Sequence, residues 1–166
     1  MFKIGKKDEK DIFDAIGRHG KGKISGIEGT IIGVGLYLTG CNMIAIKPKS
    51  ADGVTNPKGV WIDEETVVIS GEKIELDDVE IMKPEIELGS KVKDTISGFT
   101  GVAIGYCTYI SGKDEYGVTP KAKDGKEAET AWFHSKHVEE IKPKVIKKEE
   151  VQGKRKGGPR SCAPTI

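Results

Sequence analysis

The stretch ISGIEGTIIGVGLYLTG at residues 24–40 recurs as ISGFTGVAIGYCTYISG at residues 96–112. At this offset of 72 residues, the identical positions are mostly glycines, turn residues and large apolar residues. The likeness continues downstream, where a one-residue deletion in the second copy aligns Trp61 with Trp132. Such a period indicates a tandem duplication of one small unit. Histidines, cysteines and acidic residues differ between the copies, so we do not expect a shared reaction centre.

Both copies carry the pattern of short strands and turns. Runs of β-branched and aromatic residues at 29–38 and 99–110 are interrupted by glycines, and a glycine inside a strand marks a bend or bulge. A small barrel needs such bends in order to close. An alternating segment at 72–81 completes the first copy. We therefore predict an all-β fold of tandem duplicated SH3-like small barrels, with a short N-terminal helix and an extended C-terminal arm.

The predicted divisions follow from the repeat. They are residues 1–20, an N-terminal segment with a short helix; residues 21–84, the first SH3-like repeat; residues 85–141, the second SH3-like repeat; and residues 142–166, a basic flexible arm. Each repeat is about 60 residues long, which is near the lower limit for independent folding. We expect each repeat to be stabilised by contacts with the other.

Residues 8–16 form the helical candidate near the start of the chain. Ile12, Phe13 and Ile16 fall on one face of such a helix, and Gly17 follows as a C-terminal stop. A helix this short is not stable alone, so it either caps a barrel end or docks on a partner. These three apolar residues are the predicted subunit contacts at this end.

Charge is unevenly distributed, although the whole chain carries a formal net charge of +1. Residues 142–166 contain eight basic and two acidic side chains, a net charge of +6, which leaves −5 on residues 1–141. An acidic body with a basic arm is therefore expected. The predicted arm contacts are Lys154, Arg155, Lys156 and Arg160.

The sequence carries no sign of export, a membrane span or a disulfide framework. The opening residues are polar, and no run of about 18 apolar residues is present. Cys41, Cys107 and Cys162 lie far apart and lack C-x-x-C spacing, so we expect reduced thiols. An interchain disulfide through Cys162 remains the alternative.

Candidate catalytic and metal-binding patterns are weak. The sequence shows no nucleophile with its base, no phosphate-cradling glycine loop and no carboxylate pair. We therefore expect neither enzyme activity nor a cofactor. His134 and His137 are three residues apart, which on a strand points them to opposite faces, so no metal site is predicted. Trp61 and Trp132 are expected to pack in the core rather than to stack on bases or sugars.

Residues 89–105 resemble the KOW motif of SH3-like barrels. In this segment an apolar strand precedes Gly98-Phe99-Thr100-Gly101, and Gly105 follows before further strand residues. KOW-type domains bind RNA, ribosomal protein or RNA polymerase, so the resemblance implies a nucleic-acid partner as one option. The acidic body suits a phosphate-binding face poorly, which ranks nucleic acid below protein as the expected partner.

The repeat unit as a whole resembles a family of small proteins encoded by tailed bacteriophages. The similarity lies in residues 89–94, 97–105, 109–112, 124–125 and 132–133. In that family a cysteine often follows the Ser/Thr-Gly turn, as Cys41 does here, whereas the second copy has Lys113. An aspartate often follows the aromatic pair, as Asp63 follows Trp61-Ile62, whereas His134 stands in the second copy. Neither position is therefore expected to hold an essential site.

The resemblance implies a phage origin, and the family as a whole has no assigned activity. From the repeat and the arms we predict a bacteriophage virion structural protein, either a decoration protein or a minor capsid or head-tail component. Its partners would be other phage structural proteins in a symmetric assembly, and its location the virion, with the host cytoplasm during assembly. The alternative is an early phage protein that binds host nucleic acid or the transcription machinery through KOW-like barrels.

Overall fold

The computed structural model describes residues 11–152 and 163–166. Within these residues the fold is predominantly β, with ten strands in one antiparallel sheet and one short α-helix. The strands are β1 (His19–Gly22), β2 (Glu28–Tyr37), β3 (Met43–Lys47), β4 (Val60–Asp63), β5 (Val67–Ser70), β6 (Lys91–Asp94), β7 (Thr100–Tyr109), β8 (Asp114–Thr119), β9 (Ala131–His134) and β10 (Val138–Lys142). The helix α1 is Lys148–Val151, and 3-10 turns occur at Ile12–Ala15, Glu64–Thr66 and Ser135–His137.

The first half, with strands β1 to β5, and the second half, with strands β6 to β10, follow the same plan. Corresponding strands begin 71 or 72 residues apart, and a 3-10 turn joins β4 to β5 and β9 to β10. In each half the fifth strand pairs with the first, and the first four strands pair in sequence. Among the described strands, the fourth and fifth of a half do not pair, so the sheet is not closed into a barrel. The prediction of closed barrels was wrong on this point.

The two halves join into one sheet because β2 pairs with β7. Gly33 pairs with Tyr109, and Tyr37 pairs with Gly105. Gly105 is the counterpart of Gly33 and Tyr109 the counterpart of Tyr37, so exchanging the halves gives the same pairing. The register is centred on Gly35 opposite Cys107. An approximate two-fold axis therefore passes through this point, and the second strand of each half has hydrogen-bonded neighbours on both sides.

Each half has an apolar core, and a third cluster lies between them. The first core contains Ala15, Ile16, Ile31, Val34, Ile44, Ile46 and Val67. The second contains Val92, Ala103, Tyr106, Tyr116 and Val118. The third contains Tyr37, Cys41 and Met43, with Trp61 and Trp132 packed against it. Phe13 and Leu36 contact both main cores, so burial of apolar surface as well as hydrogen bonding connects the halves.

The strands at the two edges of the first half differ from the sequence prediction. Strand β1 begins at His19, inside the predicted N-terminal segment, and no strand occupies residues 72–81. β1 lacks a recognisable strand pattern because Gly20, at an inward position, has no side chain. The core fills that space, since a Cβ built on Gly20 would be 2.9 Å from Ile31 Cγ1. Residues 72–81 instead run beside Gly17, whose carbonyl accepts a 2.9 Å hydrogen bond from the Ile74 N–H.

The predicted N-terminal helix is replaced by a single 3-10 turn in the described residues. Asp11 caps it, since its Oδ1 accepts a 3.1 Å hydrogen bond from the Phe13 N–H. The turn ends because Ile16 is extended and Gly17 adopts a φ of 89°. The Gly17 N–H then bonds the Ile31 carbonyl at 2.8 Å, which draws the chain into the sheet. Residues 8–10 of the predicted helix lie outside the described residues.

The first part of the predicted arm, residues 142–152, contacts the body of the protein. Lys142 ends β10, and the Ile146 N–H bonds the Gly89 carbonyl at 3.0 Å. Beyond α1, the Gln152 side chain donates a 3.1 Å hydrogen bond to the Leu38 carbonyl in the first half. These contacts are made to backbone groups, so the high lysine content of the segment did not predict them.

Candidate interaction surface

The contact residues predicted from sequence lie in two different settings. Ile16 is buried in the first core, and Ile12 and Phe13 are partly buried against it. Their packing corresponds to the capping alternative, so these side chains offer no free docking face in this structure. The predicted arm contacts Lys154, Arg155, Lys156 and Arg160 lie outside the described residues.

Two aromatic pairs mark the junction between the halves. Tyr37 and Trp132 form an edge contact with ring centroids 6.3 Å apart, and Trp61 and Tyr109 form another at 6.2 Å. Each pair joins a tryptophan of one half to a tyrosine of the other. Edge contacts of this kind stabilise by about 1 kcal/mol beyond the area they bury. Both tryptophans are partly buried and pack against the third cluster.

Glycines make room for these rings. A Cβ built on Gly105 would lie 2.9 Å from Trp132 Cη2, and one on Gly33 would lie 2.9 Å from Tyr109 Cδ1. Gly117 approaches Trp132 in the same way, at 2.8 Å from Cζ2. From the sequence, such glycines are predicted only as bend or bulge positions. Gly105 and Gly117 approach Trp132 within the second half, whereas the approach of Gly33 to Tyr109 depends on the pairing of β2 with β7.

Residues 163–166 lie against the first half beside Trp61. The indole Nε1 of Trp61 donates a 2.7 Å hydrogen bond to the Pro164 carbonyl. A Cβ built on Gly59 would lie 2.9 Å from Ile166 Cδ1 and 3.3 Å from Ile32 Cδ1, so Ile166 occupies the space left by this glycine. We call Ile32, Gly59 and Trp61 the Trp61 groove. This groove was not predictable from the sequence, because no local pattern connects residues 163–166 with Trp61.

Two exposed isoleucines occupy counterpart turns. Ile24, between β1 and β2, is 87% exposed, and Ile96, between β6 and β7, is 74% exposed. In both turns a serine fixes the backbone, since Ser25 and Ser97 each accept a 3.2 Å hydrogen bond from the N–H two residues later. We call these turns the Ile24 tip and the Ile96 tip. They present the same apolar side chain on a constrained backbone, related by the approximate two-fold axis.

The Ile96 tip has an additional anchor in Asp94. This buried carboxylate accepts hydrogen bonds from the Ser97 hydroxyl and, at 2.8 Å, from the Ser97 N–H. These bonds favour the ionised form and hold the pKa of Asp94 below its usual value of 3.8, the Ser97 hydroxyl contributing most. Gly22 is the counterpart in the first half, so the anchor is specific to the second.

We expect Asp94→Asn to lower the free energy of unfolding at neutral pH, because the amide is a weaker acceptor than the carboxylate. The folded-state pKa is depressed, so this stabilisation is present above pH 3.8 and is lost as the pH falls through the lowered value. The parent and the variant should therefore converge in acid. Urea unfolding across this range measures the difference, with Ser97→Ala as the matched partner variant. A difference that persists undiminished in acid would contradict this account.

A buried polar cluster connects β7 and β8 in the second half. The Tyr106 hydroxyl donates to Asp114 at 2.7 Å, and the Tyr109 hydroxyl donates to Glu115 at 2.6 Å. Ser135 also donates to Asp114. Burial, reinforced by these carboxylates, raises the pKa of both tyrosines. The hydroxyls therefore stay protonated as donors, and the cluster satisfies buried acids rather than supplying a base.

The histidine pair is closer than predicted. The rings of His134 and His137 are 5.8 Å apart, because the 3-10 turn between β9 and β10 changes the direction of the chain, so the opposite-face argument was wrong. Within the described ranges, no group of three or more His, Cys, Asp or Glu residues is arranged to hold a metal ion. Cys41 and Cys107 are buried, and neither forms a disulfide with another described residue; the Cys41 thiol donates to Asp63 Oδ2 at 3.4 Å.

A groove of about 760 Å³ lies between the second half and the docked C-terminal segment. Its apolar residues include Leu38, Ile104, Val145, Ile146 and Val151, and Lys91, Lys121 and Lys142 also line it. We call it the lysine groove. It combines apolar surface with positive charge, so it suits an amphipathic anionic partner better than a neutral one.

Comparison with known proteins found no matching family model, no matching curated protein and no matching solved structure. Across residues 11–152 and 163–166, no helix is both long enough and apolar enough to cross a membrane. The two tips, the Trp61 groove and the lysine groove are the candidate interaction sites of the described residues.

Proposed function

We propose that the two halves are duplicated SH3-like units opened and fused through their second strands. The strand order supports this, since the fifth strand pairs with the first and the remaining strands follow in sequence. A 3-10 turn before the fifth strand in both halves also supports it. The fusion makes one rigid body with two counterpart faces.

We further propose that the chain is a bacteriophage virion structural protein, a decoration protein or a minor capsid or head-tail component. The observation that carries the proposal is the pair of exposed tips, Ile24 and Ile96, held at a fixed separation by one continuous sheet. Two equivalent apolar contacts on a rigid body suit a symmetric lattice, because both can engage without further ordering. The phage assignment itself rests on the sequence resemblance.

In this proposal the partners are other phage structural proteins, and the role needs neither catalysis nor a cofactor. The protein would be in the virion, and in the host cytoplasm during assembly. Its basic residues 153–162 would add contacts to acidic surfaces of neighbours.

A second candidate is the early phage protein that binds host nucleic acid or the transcription machinery. The lysine groove favours it, since three lysines surround one depression on the half with the KOW-like segment. Phosphate contacts by such lysines would make binding strongly salt-dependent.

The test of the virion role is the copy number of the protein in purified particles, measured by mass spectrometry against the major capsid protein. We expect a fixed, symmetry-related number. Combining Ile24→Ser with Ile96→Ser should weaken docking by about tenfold or more and so lower that number, since each exposed apolar anchor contributes on the order of 1 kcal/mol to docking. Folding should be unaffected because both side chains are exposed.

The matched control is Val54→Ser, which removes an isolated side chain that is 88% exposed. This variant should enter particles in normal number. Absence of the parent protein from particles, while it is abundant in infected cells, would reject the virion role and favour the nucleic-acid candidate. Normal incorporation of the double variant would reject the tips as contacts.

A further inference from the structure

The segment Ala163–Ile166 is held on the Trp61 groove by contacts that any copy of the chain could supply. They are the hydrogen bond from Trp61 Nε1 to the Pro164 carbonyl at 2.7 Å and the packing of Ile166 beside Gly59 and Ile32. We infer that the Trp61 groove is a self-assembly site that accepts the Ala163–Ile166 segment of a second copy of this chain.

The chemistry of the groove fits an extended segment that contains proline. Proline fixes its own φ and disfavours helix at the preceding residue, so a segment such as Ala163-Pro164 is already extended before it binds. An indole N–H that donates to a carbonyl beside an aromatic surface is a common way of recognising such segments. Ile166 adds an apolar anchor two residues beyond the hydrogen bond, so one polar and one apolar contact define the register.

The length of the intervening chain permits exchange between copies. Ten residues separate Gln152, which is bound to Leu38, from Ala163, and a chain of this length can span up to about 36 Å. The ten residues carry four basic side chains and no acidic ones. They are therefore suited to cross to a neighbour whose residues 1–141 have a net charge of −5.

Exchange costs little because the same contacts form within one copy or between two. The segment of the same chain has the advantage at low protein concentration, since its attachment gives it a high effective concentration. In a lattice, the segment of a neighbouring copy has a local concentration comparable with that of the chain's own segment. Binding between copies can then compete with binding within one copy. The inference rests on the proposed function for this setting, a structural protein packed among copies of itself.

Among the residues that the structure describes, one copy carries one such groove. The counterpart of Gly59 in the second half is Thr130, whose Cβ takes the corresponding position and whose hydroxyl is 2.8 Å from that of Thr119. The Ile166 side chain therefore has no equivalent space there. One donor segment and one acceptor groove per copy produce either reciprocal dimers or head-to-tail chains that close into rings.

The test uses two purified variants that complement each other. One lacks residues 163–166 and keeps an intact groove; the other carries Gly59→Val, which fills the Ile166 space while its own segment stays intact. The φ of Gly59 lies outside the left-handed region, so valine does not strain the backbone. We expect each variant alone to be monomeric, and their mixture to form a 1:1 complex in native mass spectrometry and sedimentation velocity.

The control places Trp61→Phe in the copy that lacks residues 163–166. Phenylalanine keeps an aromatic ring but cannot donate the hydrogen bond, so the complex should weaken by about tenfold. No complex in the first mixture, or an equal complex after residues 163–166 are also removed from the Gly59→Val copy, would overturn the inference. These results concern purified protein alone, so they leave the copy number in particles as a separate test of the virion role.

Discussion

Replacing Gly101 with alanine should unfold the protein or bring it close to unfolding. A Cβ at this position would lie 2.4 Å from the Thr119 carbonyl oxygen and 2.8 Å from the Pro120 nitrogen. Both are backbone atoms at the end of β8, so they can move only if the pairing of β7 with β8 is disturbed. We expect a loss of about 3 kcal/mol or more in the free energy of unfolding, measured by urea denaturation.

The repeat provides a replicate and a control for this prediction. Gly29, the counterpart in the first half, would place a Cβ 2.1 Å from the Lys47 carbonyl oxygen, so Gly29→Ala should be equally damaging. Gly98→Ala is the matched control: its φ of 78° carries a cost of about 1 kcal/mol for alanine, but nothing lies within 4 Å. If Gly101→Ala costs no more than Gly98→Ala, the close approach of strand ends does not explain the glycine.

The second large effect concerns the coupling of the halves. Ile44 is fully buried in the first core, and Ile44→Ala should cost about 2–5 kcal/mol through lost burial and the cavity left behind. β2 pairs with β7, and the third cluster lies between the halves. We therefore expect the free energy of unfolding of the second half to fall by the same amount. Hydrogen exchange of the slowest amides in β3 and in β8 measures the free energy of unfolding in the first and second half, respectively.

The expected result is an equal fall in protection in the two strands, since a single cooperative unit exchanges its slowest amides by global unfolding. Val54→Ala, at an exposed position, should leave both unchanged within about 0.5 kcal/mol. Retained protection in β8 with a loss confined to β3 would mean that the halves unfold separately. The fused sheet would then be a contact between domains rather than one folding unit.

The strand positions were largely predictable from local pattern. β2 and β7 differ from the runs predicted at 29–38 and 99–110 by one residue at either end. β-Branched and aromatic residues mark these segments because their side chains suit a pleated, buried surface. β1 was missed because Gly20 has no side chain to contribute to a pattern, and the core atom nearest to a Cβ built there belongs to Ile31. β5 was not predicted although its residues Val67, Val68 and Ile69 are β-branched.

The candidate interaction surface was less predictable than the strands. Ile12, Phe13 and Ile16 were chosen for a shared helical face, but a single 3-10 turn packs them onto the core. The exposure of Ile24 and Ile96 and the docking of Pro164 on Trp61 depend on contacts between residues far apart in sequence. Periodicity within a short window carries no information about such contacts.

The sequence by itself determined that the chain is predominantly β, that its elements recur at a spacing of about 72 residues, and where most strands lie. These properties follow from glycine spacing and side-chain shape, which act over a few residues. Only the tertiary structure decided that the halves share one open sheet, that residues 142–152 are docked, and that a groove beside Trp61 holds residues 163–166. Those outcomes depend on which distant backbone groups pair and which side chains exclude water together, and chain neighbours do not encode that choice.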